Sequence, residues 1–215
     1  MIVALLFAAF LFGSIPTGYV IAMIKGVDLR KVGSGNIGAT NVLRAMGKGA
    51  AIITLAGDVL KGVIPVLAVR YFYPNTGIQF LGQLVSIPLQ ITDTRVAFEG
   101  VIGLAAILGH NFSIFLKFKG GKGVATSLGV ALALSPHAAL MAATAWLLTF
   151  RVSGYSSLSG LVAFASFPFC IYIIDYSAEK IEIAVIIAAL IFITHRGNIK
   201  RLITGKENKF MRKGK

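Results

Sequence analysis

A chain of 215 residues that is 56% hydrophobic, only 13% charged and of mean hydropathy +0.82 is too apolar for an ordinary water-soluble domain. Its net charge of +13 would suit nucleic acid in a soluble protein, but the basic residues fall in the gaps between apolar runs. The positive-inside rule accounts for that pattern, so the reading carries no nucleic-acid partner.

In chain order the apolar runs lie at about 2–24, 50–71, 96–115, 123–135, 137–150, 156–174 and 181–194. With about 20 apolar residues needed per crossing, they predict an all-α polytopic membrane protein of about seven transmembrane helices, a single domain over 1–215. The first run has no basic segment ahead of it and reads as an uncleaved span. Asp58 and Lys61 lie inside the second, spaced i, i+3 so that they can pair on one helix face, as a functional pair or a structural one. The connection 74–95 is long, and its half-apolar stretch 78–91 reads as interfacial. The fourth run is short and separated from the fifth by Ser135-Pro136, which predicts a tight hairpin or a partly re-entrant pair. Cys170, the one cysteine, lies in the sixth run and reads as packing, with no disulfide possible within the chain.

Of the 21 Lys and Arg, 17 lie in the loops 25–49, 116–122 and 151–155 and in the tail from His195. Five of the eight acids fall on the other side. The asymmetry predicts N-terminus out, C-terminus and basic loops in the cytoplasm.

Topology alone asks only for Lys and Arg, yet these loops also concentrate Gly, Ser, Asn and His. In GSGNIGATNVLR (33–44) the glycines let backbone N–H groups turn toward a ligand, Ser34, Asn36, Thr40 and Asn41 add donors, and Arg44 can fork onto phosphate oxygens. Its G-x-G-x-x-G spelling, with Asp58 20 residues beyond Gly38, mimics a dinucleotide fingerprint; a preceding membrane span and an intramembrane Asp58 defeat that reading. The second cluster is GHNF (109–112) followed by FKGGKG (118–123), where Lys122 precedes a helix N-terminus that attracts anions. Gly123 stands where a phosphate-loop ATPase needs Ser or Thr. His110 and Asn111 are binding groups or satisfied interfacial ones, and Lys119 is a further candidate. Ser153, Ser156, Ser157 and Ser159 lead into the sixth span, mostly as caps or interhelical bonds. His195 and Asn198 sit among arginines in HRGNIKR (195–201), with GKE at 205–207. Few acids and no ligand-spaced histidines imply no metal.

Taken together, GSGNIGATNVLR, GHNF with FKGGKG, the serines before the sixth span and HRGNIKRL with its trailing GKE resemble the PlsY family over essentially the whole chain. The resemblance implies a seven-span acyl-phosphate:glycerol-3-phosphate acyltransferase of the bacterial cytoplasmic (inner) membrane. Its site would open to the cytoplasm, and it would make lysophosphatidic acid without cofactor or obligate protein partner. By position it puts the glycerol 3-phosphate phosphate near Ser34, Asn41, Arg44, Lys122 and Ser159, with His195, Asn198 and Ser34 nearest the chemistry. An acyl phosphate is already activated, so positioning and charge stabilisation suffice and no acyl-enzyme is required. The hydroxyl proton goes to His195 or, by substrate assistance, to the departing phosphate. The rival reading is a transporter or channel for an organic phosphate, for which polar residues should run across the bilayer. Lys25, Arg30, Lys31 and the tail from about Lys206 need only topology; Arg44, Lys122 and Arg196 are expected at the substrate.

Overall fold

The computed structural model describes residues 1–74 and 93–210, so the expected interfacial stretch at 78–91 lies outside the described residues. The described chain is helical: α1 (Ile2–Ser14), α2 (Thr17–Ile24), α3 (Ala39–Met46), α4 (Lys48–Phe72), α5 (Thr94–Asn111), α6 (Val124–Leu134), α7 (Pro136–Ser153), α8 (Ser156–Ile174), α9 (Ala178–Thr194) and α10 (Arg196–Ile203). Among the described residues four segments are long and apolar enough to cross a membrane: Ile2–Ile24, Lys48–Phe72, Thr94–Leu116 and Ser156–Ile174. Phe7, Ile52, Ile53, Leu148, Phe169 and Ile193 leave more than half of their surface uncovered. Such an apolar exterior suits hydrocarbon rather than water.

The first apolar run is not one continuous helix. Pro16 offers no N–H and keeps Ile15 out of the helical region (ψ 114°), so α1 stops at Ser14 and α2 restarts at Thr17. The carbonyl of Ile15, freed by the break, accepts a hydrogen bond of 2.9 Å from the Lys61 ammonium. Asp58 meets that ammonium at 2.7 Å, as the i, i+3 spacing predicts. Helix α6 has 11 residues, so it rises about 16 Å and spans about half of the hydrocarbon layer. Ser135 separates it from α7, whose first residue is Pro136.

The core lies among α4–α9, where Val66, Ile107, Val130, Phe167, Ile171, Ile187 and Ile191 are buried. Small residues let the backbones approach. A Cβ on Gly62 or Gly129 would overlap the facing backbone where α4 crosses α6, and one on Gly13 or Gly109 would do so where α1 crosses α5. At the far ends of α4, α5 and α6, buried Glu99 accepts from Arg70 (2.6 Å) and Arg95 (3.1 Å), while Arg70 also donates to the Ala133 carbonyl.

Candidate active site

The opposite ends of these helices, with α3 and α10, surround a cavity of about 370 Å³. One wall is the loop before α3. Gly33 has φ +59°, and a side chain there would collide with the Asn41 amide oxygen, which accepts from the Ser34 N–H at 3.0 Å. The Asn41 amide nitrogen donates to the carbonyls of Leu29, Val32 and Asn36. Asn41 is therefore spent inside the loop: it shapes the curve that presents Ser34 and Asn36, and has no hydrogen left for a phosphate. Thr40 and Ser156 share a hydrogen bond of 3.0 Å, joining α3 to the start of α8. Arg44 lies over the Phe210 ring and reaches the Asn208 carbonyl at 3.4 Å.

The facing wall is a polar chain. The Lys122 ammonium donates to the Asn198 amide oxygen, whose amide nitrogen donates to Glu207 at 2.6 Å. Glu207 also accepts from Ser157 (2.8 Å) and Arg201 (2.8 Å). Burial opposes the Glu207 charge, but the bonds from Asn198, Ser157 and Arg201 outweigh it and hold the carboxyl below its usual range. Burial, assisted by Arg201 and Arg44 against the pull of Glu207, lowers Lys122 to about 8, so it is still mostly cationic at pH 7. Gly123 at φ +83° turns the chain into α6, and the start of that helix borders the cavity. Positive dipole and ammonium thus point into one space.

His195 is 2% exposed and bonds through Nδ1 to the Ile191 carbonyl at 2.8 Å. A proton on Nδ1 leaves Nε2 as an acceptor on the side of Gly160. Burial first, and Lys122 second, push its pKa down to about 4, so the ring is neutral at pH 7.

The cavity brings together Ser34, Asn36, Thr40, Asn41, Arg44, Lys122, His195 and Asn198, and also Asp58 and His110. Five candidates lie elsewhere. Ser159 is fully buried and bonds back to the Tyr155 carbonyl, because the phase of α8 turns Ser156 and Ser157 to the cavity instead. Asn111 is buried under Gly123, Lys119 is exposed with its carbonyl held by Arg30, and Lys61 is occupied at the helix break. Arg196 is exposed and does not border the cavity. The tail, expected to serve topology alone, folds back: Phe210 N–H donates to the Gly154 carbonyl at 2.8 Å, and Glu207 and Asn208 enter the lining. Away from this polar end the cavity is apolar, with Leu128, Ala131, Ala142, Trp146, Leu147 and Phe164 from α6, α7 and α8. Among the described residues no group of three or more His, Cys, Asp or Glu is placed to hold a metal. The arrangement can hold anionic head groups against cations and amides, with an aliphatic chain between helices.

A family model described as glycerol-3-phosphate acyltransferase matches residues 3–205. A glycerol-3-phosphate acyltransferase of Geotalea daltonii is 45% identical, covering 98% of this chain and 98% of its own. Another, of Aquifex aeolicus, is 44% identical over 94% of this chain and 95% of its own. The crystal structure of PlsY (YgiH), an integral membrane glycerol 3-phosphate acyltransferase, in its glycerol 3-phosphate form gives a TM-score of 0.84 at 41% identity, covering 98% of this chain and 96% of that one. The lysophosphatidic acid form gives 0.82 at 39%, covering 97% and 94%.

Proposed function

The chain belongs to the glycerol-3-phosphate acyltransferase family, a multi-pass membrane acyltransferase acting on glycerol 3-phosphate, and from that premise we propose that its donor is an acyl phosphate and its transfer is direct. The observation that carries this is the two-part cavity, polar and cationic at one end and apolar between α6, α7 and α8 at the other. Arg44, Lys122, Ser34 and Asn36 hold the two phosphates, whose mutual repulsion needs cations at close range. The acyl chain lies along Trp146, Leu147 and Phe164.

In the reaction the 1-hydroxyl oxygen of glycerol 3-phosphate forms the new ester bond to the acyl carbon. The bond from that carbon to the phosphate oxygen breaks, and the hydroxyl proton passes to the departing phosphate, giving lysophosphatidic acid and phosphate. A His195 whose conjugate acid has a pKa of about 4 is a weak base at neutral pH. Its Nε2 therefore orients the hydroxyl while the phosphate takes the proton, and Lys122 with Asn198 balances charge on the leaving group. The positive-inside distribution supports seven spans with the cavity on the cytoplasmic side of the inner membrane, the 11-residue α6 being the shortest. Purified protein given acyl phosphate and labelled glycerol 3-phosphate is expected to form lysophosphatidic acid with no added cofactor. Equal turnover with acyl-CoA would overturn the choice of donor.

A further inference from the structure

Ser34 and Asn36 reach the cavity from one loop and Lys122 from another, so the spacing of the two loops decides how well both sides meet the same anion. Among the described residues a single hydrogen bond joins these loops. The Arg30 guanidinium donates to the Lys119 carbonyl at 2.9 Å, across 89 residues of chain. Arg30 is exposed and outside the cavity lining. Positive-inside topology accounts for its charge but not for this bond.

Both ends of the bond are built into their loops. Asp58 plays no part here; it is Asp28 that accepts from the Arg30 N–H at 3.0 Å and starts the short 3-10 turn Leu29–Lys31. The Leu29 side chain is fully buried, and its carbonyl, with those of Val32 and Asn36, is held by the Asn41 amide. Gly35, at φ +68°, passes so close to the Arg30 carbonyl that a Cβ would come to 3.1 Å. Arg30 is thus one body with the loop that presents Ser34 and Asn36. On the other side Lys117 and Phe118 both take positive φ, 52° and 60°, which is costly for residues with side chains and persists only where the surroundings impose it. The Phe118 N–H on the Ser113 carbonyl (2.8 Å) and the Lys119 N–H on the Leu116 carbonyl (3.1 Å) hold that reversal in place. It carries the Lys119 carbonyl to Arg30. Beyond it the N–H groups of Gly120 and Gly121 donate to the carbonyls of Asn111 and His110, and Lys122 follows directly.

We propose that Arg30 is a positioning residue: its bond to the Lys119 carbonyl sets the distance between the Ser34–Asn36 loop and the Lys122 loop, and so preorganises the site without touching substrate. This rests on the acyltransferase reading and goes beyond it. Loops already held at the right spacing need little ordering when an anion binds. Without the bond the substrate must order them itself, which raises KM while the chemistry in the filled site is little altered.

The test measures glycerol 3-phosphate kinetics, with acyl phosphate as donor, in Arg30→Met and Lys31→Ala. Arg30→Met keeps an aliphatic stem but no donor, and is expected to raise KM about three- to tenfold with kcat within about twofold. Lys31→Ala is the control. It removes the adjacent exposed charge, whose partner is Asp28 and not the second loop, and its KM should hold. An unchanged KM in Arg30→Met overturns the proposal. An equal rise in Lys31→Ala, the mark of general attraction between an anion and positive charge, overturns it too. So does a fall in kcat alone, which reports fewer folded molecules and leaves KM untouched. Arg30→Met that fails to fold beside a folded Lys31→Ala makes Arg30 a structural residue and likewise overturns it. The acyltransferase reading fails separately, only if unmodified protein forms no lysophosphatidic acid.

Discussion

At one end of α4, α5 and α6, Glu99 takes hydrogen bonds from Arg70 and Arg95, and Arg70 also donates to the Ala133 carbonyl. At the other end, Lys122, Asn198 and Glu207 form an equally buried chain that borders a cavity of about 370 Å³. Both are charged networks in an apolar bundle, and composition alone does not separate them. The first ties helices to one another, its carboxylate oxygens both engaged. The second keeps cations, amides and a neutral imidazole around empty space, and its position at the cavity rather than its charge makes it a site.

Substitutions at the two ends should split stability from catalysis. The largest expected effect is at the far end: Glu99→Ala leaves Arg70 and Arg95 without their partner and should lower stability by about 3 kcal/mol, read as the unfolding midpoint in detergent. Activity per folded molecule should hold; a loss beyond the unfolded fraction would break the contrast. Next, Lys122→Ala or Arg44→Ala should cost about 1.5–3 kcal/mol of transition-state binding, about 10- to 150-fold in kcat/KM for glycerol 3-phosphate. The unfolding midpoint should barely move, and unchanged kinetics in either variant would remove that residue from the site. His195→Ala should retain measurable turnover, its loss staying under about 10²-fold, below the usual range for a general base. Abolished turnover with intact glycerol 3-phosphate binding would return the proton to His195. The finest effect is on pH. Lys122 is depressed to about 8, so its charge, and with it kcat/KM, should decline as pH rises through that value. Lys122→Arg should carry the plateau to higher pH; an identical alkaline limb would assign it to another group.

The helices were legible because apolar runs and breakers are local. Pro136 marks the start of α7 and the 11-residue α6 corresponds to the short fourth run. The interruption at Pro16 was equally local, yet hydropathy averaged over residues 2–24 hid it. Within the site, residue type pointed to Arg44, Lys122, His195 and Asn198, all of which border the cavity. Asn41 was a matter of roles: its donors serve the loop, which a residue list cannot tell. Ser159 was a matter of helical phase, two residues from the serine that bonds Glu207. The Arg95–Glu99 spacing was readable as i, i+4, but Arg70 reaches Glu99 from another helix. Glu207 escaped because its partners Ser157 and Asn198 lie 50 and 9 residues back, and only folding reveals a tail that returns.

That return fixes the order in which the enzyme can come alive. Ser34 is among the early residues to leave the ribosome, whereas Glu207 and Asn208 follow only after α10 has been made. A chain ending just after α10 still lacks the residues that link Asn198 to Ser157 and meet Arg44. In the proposed site, completion thus waits on the last residues made: a chain that stops before Glu207 carries every described helix but not the full cavity lining.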